Sequence, residues 1–131
     1  MQVAEASWRF EPQITAPAGI RRHLTSALNQ WGVAPSDWDD VMFVLNELVT
    51  NVIEHAGTPG EVHVGHDGEV AVIRVIDFSP DIPRLRLSMS EHEPACGLRL
   101  VAALSRNWGY VVLPGGKTVW AVVQARSGEA P

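Results

Sequence analysis

Residues 47–56 read Glu-Leu-Val-Thr-Asn-Val-Ile-Glu-His-Ala. They close a helical pattern that starts near Ser36 and Asp37, in which Val41, Leu45, Leu48 and Val52 fall on one apolar stripe. Glu47 and Asn51 are four residues apart, so they stack beside that stripe on a single face. A polar group at the border of a buried stripe is costly unless something satisfies it. A carboxylate and an amide oxygen at this spacing suit a hard cation together with phosphate oxygens, because magnesium takes oxygen ligands and keeps substrate phosphates in its shell. A capped or solvated helix face explains the same pair equally well. His55, one turn on, is read as a last-turn residue answering the helix dipole.

Outward from this helix the pattern alternates in type. Ser7–Phe10 reads as a strand, and Ala18–Trp31 as a helix with Ile20, Leu24, Ala27, Leu28 and Trp31 on one stripe. Ser36 is placed to cap the second helix, Asp37 to Ala56, which Gly57 stops. Glu61–His66 and Glu69–Asp77 form a hairpin about Asp67-Gly68, which leaves His63 and His66 in an exposed hairpin. Phe78–Cys96, rich in proline, serine and acidic residues, is a long loop that suits a lid over a site. Gly97–Ser105 is a short apolar helix, and Trp108–Leu113 with Lys117–Gln124 makes a final hairpin. The tail Ala125–Pro131 is expected to fray. The order β-α-α-β-β-α-β-β predicts an α+β two-layer sandwich with helices on one face of a mixed, mainly antiparallel sheet.

Two further positions bear chemistry. Asp77 ends a strand on the face shared by Ala71, Ile73 and Val75, where an acid is unexpected. A buried carboxylate is acceptor-only and needs donors, which an adenine exocyclic amine would supply; a turn begun with Ser79 and Pro80 also accounts for it. Gly97 opens a helix whose backbone N–H groups suit phosphate.

The whole chain of 131 residues fits one domain, residues 1–131 with a core of about 8–124. A hydrophobic fraction of 46% and a charged fraction of 19% are those of a folded chain, and a net charge of -5 argues against a nucleic-acid footprint. Cys96, as the single cysteine, permits no internal disulfide. Met1–Glu5 lacks the basic and apolar regions of a secretory signal, and Val41–Val52 is too short and too polar to span a bilayer, so a cytoplasmic location without membrane contact is expected.

Taken together, Glu47-Leu48-Val49-Thr50-Asn51, Asp77-Phe78-Ser79-Pro80, Gly97-Leu98-Arg99-Leu100-Val101 and Gly116-Lys117-Thr118-Val119-Trp120 resemble, in order, the boxes of the GHKL (Bergerat-fold, histidine-kinase-like) ATPase and kinase superfamily, and most of all its RsbW-type anti-sigma-factor kinases. The resemblance spans residues 8 to 123. It implies ATP and Mg2+ as cofactors, Glu47 as the catalytic base on a partner's serine, and Asn51 as the magnesium ligand on the phosphates. It further implies Asp77 on the adenine amine, Thr118 supporting that contact, and Gly97 at the lid and phosphate end. Its implied partners are a STAS-domain anti-sigma-factor antagonist as substrate and a sigma factor as competitor, with a homodimer as the assembly. Two departures stand out: Ser79 and Asp81 replace the usual glycines after Asp77, and Glu93-Pro94-Ala95-Cys96 replaces a glycine-rich lid. The lid departure supports an alternative, a non-catalytic interaction module of the same fold with weakened or lost nucleotide binding.

Overall fold

The computed structural model describes residues 3–79 and 96–128. Strands β1 (Ala4–Phe10), β2 (Gly60–His66), β3 (Val70–Asp77), β4 (Ser105–Leu113) and β5 (Gly116–Gln124) form one sheet in the order β1-β2-β3-β5-β4. Helices α1 (Ala16–Gln30), α2 (Trp38–Asn51) and α3 (Cys96–Leu104) complete the described fold. Every described strand pairing is antiparallel, so the sheet is not mixed. The topology explains this, because each pair of neighbours is reached by a tight hairpin or by a return over the helical layer.

Alternation along the strands sets the two layers. Val62, Val64, Ala71, Ile73, Val75, Val119, Ala121 and Val123 are buried on one face, and their strand neighbours are half-buried or exposed on the other. The α2 stripe of Val41, Val44, Leu45, Leu48, Val49 and Val52 packs onto that inner face. Helix α1 packs on β1, α3 packs on β4, and α2 contacts β3 and β5 between them. Because β1 and β4 are the two sheet edges, the helical layer runs α1-α2-α3.

The start of α2 differs from the expectation. Ser36 is not its cap: Pro35–Asp37 forms a single 3-10 turn and Asp37 is the capping position, without a side-chain cap hydrogen bond. The Asp37 carboxylate is engaged elsewhere. It accepts from Arg126 N (2.9 Å), Nε (3.0 Å) and Nη2 (3.1 Å), and from Gln124 Nε2 (3.4 Å). The tail is accordingly held, not frayed, as far as residue 128. Ala125 is buried, Ala34 N donates to Arg126 O (2.8 Å), Ser127 N donates to Gly68 O (2.9 Å), and Val33 bridges Ser127. His66 is likewise not exposed. It is 5% exposed, stacks on Trp31 with ring centroids 5.8 Å apart, and places Nε2 2.7 Å from Ala125 O.

The far end of α2 runs into a π-type turn, Val52–Ala56, closed by Gly57 N donating to Val52 O (2.9 Å) with Gly57 at φ 66°. Gly57 is thus the helix stop, in the left-handed region where a side chain is strained. Three residues later Gly60 pairs with Asp77. Helix α2 therefore starts beside Gln124 and finishes near Asp77. At roughly 1.5 Å per residue it covers about the length of β3.

One row of the inner face closes that end of the sheet: Phe10, Gly60, Asp77, Lys117 and Val112 are successive register partners. Two glycines permit it. A Cβ on Gly60 would stand 2.4 Å from the Phe10 ring, and one on Gly116 would stand 2.3 Å from the Asp77 carbonyl oxygen. The Gly116 neighbour is backbone and has nowhere to retreat.

The packing is open to two stability measurements. Arg126 donates to Asp37 and, against the opposing effect of burial, lowers its pKa from 3.8 to about 2, with further help from the Arg126 backbone N–H and from Gln124. A carboxyl depressed on folding stabilises above its unfolded value and loses that contribution as pH falls through its folded one. Unfolding free energy should therefore drop between pH 3.8 and about 2 more steeply in the parent than in Asp37→Asn, measured by denaturant titration. Gly116→Ala should cost about 1–3 kcal/mol in the same assay, because the β3–β5 pairing must open to admit the methyl group.

Candidate functional site

Asp77 closes β3 at 1% exposure, beyond the apolar run Ala71, Ile73 and Val75. Its Oδ1 accepts from Ser79 N at 2.9 Å, the Asx turn that the following residues allow. One oxygen thus starts the turn, and the other is buried on the core face. Lys117 Nζ stands 2.8 Å from Oδ2 as an ion pair, with the lysine side chain 8% exposed. Among the described residues Oδ2 is met by this ammonium alone, which leaves it acceptor capacity to spare. Beyond Asp77, Phe78 N donates to Thr58 Oγ1 (3.2 Å), which ties the strand end to the loop that follows α2.

Thr118 does not share this site. It pairs with Ile76 and lies on the outer face, whereas Lys117 is the register partner of Asp77. The residue beside the carboxylate is therefore Lys117, which the reading of motifs passed over. Period-two alternation held the signal, because Lys117, Val119, Ala121 and Val123 fall on one face. A lysine there is as anomalous as the aspartate opposite.

Glu47 and Asn51 are half-buried on α2 and share one flank. Asn46 marks the other flank, where its Oδ1 accepts from Arg21 Nη1 of α1 at 2.6 Å. Glu47 and Asn51 thus face away from α1, on the side where α3 lies. Asn51 ends α2 at the Asp77 end of the sheet, and Glu47 is about 6 Å further back along the axis. Burial, and secondarily the charge of Glu54, raise the Glu47 pKa above its ordinary 4.5, while a hydrogen bond with Asn46 works against them. His55 is exposed in the π-type turn and joins none of this.

Gly97 is the second residue of α3, a helix that ends at Leu104, just before Ser105 of β4, which pairs with Val123 far from Asp77. Of the segment Phe78–Cys96 expected to form a lid, residues 80–95 lie outside the described residues, and Cys96 is the first residue of α3. Among the described residues no group of three or more His, Cys, Asp and Glu is placed to hold a metal ion by itself. No described helix is long and apolar enough to cross a membrane. A concavity lies on the opposite sheet face, lined by Ser7, His63, Gly65, Val72 and Arg74 among others. It holds no buried, unsatisfied polar atom, and chemistry favours the Asp77 end.

The site chemistry fits a purine nucleotide at one point that can be checked here. A fully buried carboxylate oxygen with acceptor capacity left among the described residues, next to glycines 60 and 116 that keep the backbone close, matches an amine donor. The same oxygen carries a lysine, which such a donor would have to meet.

Comparison with known proteins bears on the fold and the family. No curated protein matches the chain significantly. A crystal structure of the RsbU and RsbW domains of Rv1364c from Mycobacterium tuberculosis superposes with a TM-score of 0.67 at 20% identity, over 94% of this chain and 33% of that one. The chain thus spans about a third of the structure it matches, and the likeness is one of fold. The family model described as the histidine kinase-like ATPase domain matches residues 10–123, from the last residue of β1 almost to the end of β5. That span includes Glu47, Asn51, Asp77 and Lys117, and the chain belongs to the histidine kinase-like ATPase domain family.

Proposed function

We propose that the chain is an ATP-dependent protein serine/threonine kinase and anti-sigma factor of a partner-switching system. In this reading it phosphorylates a serine or threonine of a STAS-domain antagonist and alternatively sequesters a sigma factor. The observation that carries the reading is the buried Asp77 carboxylate, whose Oδ2 is met among the described residues by the Lys117 ammonium alone, at the end of the sheet where α2 delivers Asn51. Family membership supports an ATP-binding domain, and the likeness in fold to a structure that contains an RsbW domain supports the partner-switching setting.

Each residue has a distinct task in this scheme. Asp77 accepts the base amine at Oδ2 while Ser79 N–H fixes Oδ1, so the carboxylate is oriented before any ligand arrives. Asn51 would offer an amide oxygen to Mg2+, and Gly97, near the start of α3, would face the phosphates. Bound Mg-ATP supplies the phosphoryl group and the charge neutralisation that phosphoryl transfer chiefly requires. Glu47 takes the proton of the partner's hydroxyl, and its raised pKa strengthens it as an acceptor. Removing that proton leaves the hydroxyl oxygen free to attack.

A second reading is favoured by a specific observation. Lys117 against Asp77 neutralises the carboxylate from within the chain, as expected of an interaction module of this fold with weakened nucleotide binding. Calorimetry with Mg-ATP separates the two, since a module that has lost nucleotide gives no heat of binding.

For the kinase reading, Glu47→Gln should bind Mg-ATP like the parent and lose about 10²–10⁴-fold in transfer of label from ATP to the antagonist. Transfer at the parental rate would remove Glu47 from the mechanism. Asp77→Asn should lose ATP affinity instead. The Glu47 base acts when ionised, so the rate rises with pH through its pKa. Glu54→Gln removes a charge that raises this pKa and should move the rising limb to lower pH in a pH–rate profile.

A further inference from the structure

The Lys117–Asp77 pair has no task in phosphoryl transfer, yet it occupies the one group best suited to an amine. The lysine side chain is 8% exposed, the aspartate 1%, and Nζ is 2.8 Å from Oδ2. Oδ1 is already taken by Ser79 N. The Ser79 amide directs Oδ1 into the turn, so an incoming base amine is drawn to Oδ2, the oxygen that the ammonium now faces. Two cost terms oppose that step. The ammonium and the amine compete for the same buried space, and a carboxylate already compensated by a cation gains less from a neutral donor.

The local backbone offers the lysine a way out. Lys117 is the second residue of β5, directly after the turn at Gly115 and Gly116, whose φ at Gly115 is 84°. Its four-carbon stem is flexible and its head strongly hydrated, so a short rotation from the hairpin tip carries the ammonium to water. Val112, its partner on the edge strand β4, is 44% exposed and does not seal that path.

We propose that Lys117 is a built-in competitor for the base site: nucleotide binding exchanges the Lys117 ammonium for the base amine at Asp77 Oδ2, and the closed ion pair sets the affinity. The inference rests on the reading of Asp77 as the adenine acceptor. Apparent affinity falls in proportion to the fraction of molecules in the open form. A closed form populated above about 90% therefore weakens binding roughly tenfold or more.

The test titrates the full chain with adenosine, which probes the base site without phosphates or metal, and then with Mg-ATP. Lys117→Met keeps the stem and removes the charge, whereas Lys117→Arg keeps the charge. Lys117→Met should bind adenosine roughly tenfold or more tightly than the parent, and Lys117→Arg should bind as the parent does. Equal binding by the parent and Lys117→Met overturns the competitor and leaves the ATP reading standing. Failure of both to bind either ligand overturns the ATP reading and the competitor with it. Should Lys117→Met not fold, the parent alone decides by NMR of the Lys117 ammonium. Its slowly exchanging signal should disappear at saturating adenosine, and a signal that persists unchanged refutes the exchange.

Discussion

A carboxylate at 1% exposure at the end of a core strand is the constraint around which this molecule is arranged. Such a group persists in a folded core only if its charge is paired and its oxygens are directed. The chain meets the demand with three local devices: an Asx turn to Ser79, a lysine one strand away, and a glycine at position 116 that lets the neighbouring backbone approach. None of these devices lies in the helices. The turn and the glycine hold Asp77 in place whether or not anything is bound, so the acceptor is prepared by the sheet and the remaining groups are brought to it.

The helical layer does the bringing. Because α1 and α3 cover the two sheet edges, α2 is confined to the centre, and from Trp38 to Asn51 it runs about the length of β3. The Asp37–Arg126 contact fixes one end of that helix to the tail after β5, while Gly57 and Gly60 join the other end directly to the Asp77 row. Asn51 and Glu47 follow from this framing. They lie on the α2 flank away from α1 because Asn46 is held by Arg21 on the other. The two elements that carry the candidate chemistry, α2 and β3, are thus positioned by contacts far from it.

Much of this was legible in the sequence, and the failures have physical causes. Periodicity separated strands from helices because the core faces of β3 and α2 are almost purely apolar, and the same purity exposed Asp77 as an anomaly. Motif order led to the family. What single motifs concealed was pairing. The Gly-Lys-Thr run drew attention to Thr118, but register puts Thr118 outside and Lys117 inside, a distinction that depends on one residue of strand phase. Ser36 suited the capping position by type, yet the 3-10 turn moved the cap to Asp37, whose carboxylate answers an arginine 89 residues away. His66 and the tail were read as exposed because their partners, Trp31 and Ala34, come from distant parts of the chain. Long-range partners of polar groups are the part of a fold that local pattern carries least.

The central claim is that the Asp77 end of the sheet is the base-recognition site of an ATP-binding domain. A crystal structure of the chain grown with Mg-ATP tests it most directly. The expected result is a base amine within hydrogen-bonding distance of Asp77 Oδ2, with Lys117 turned out to solvent. Nucleotide bound on the opposite sheet face, or at this end with the Lys117–Asp77 pair intact and no base contact to Oδ2, would contradict it.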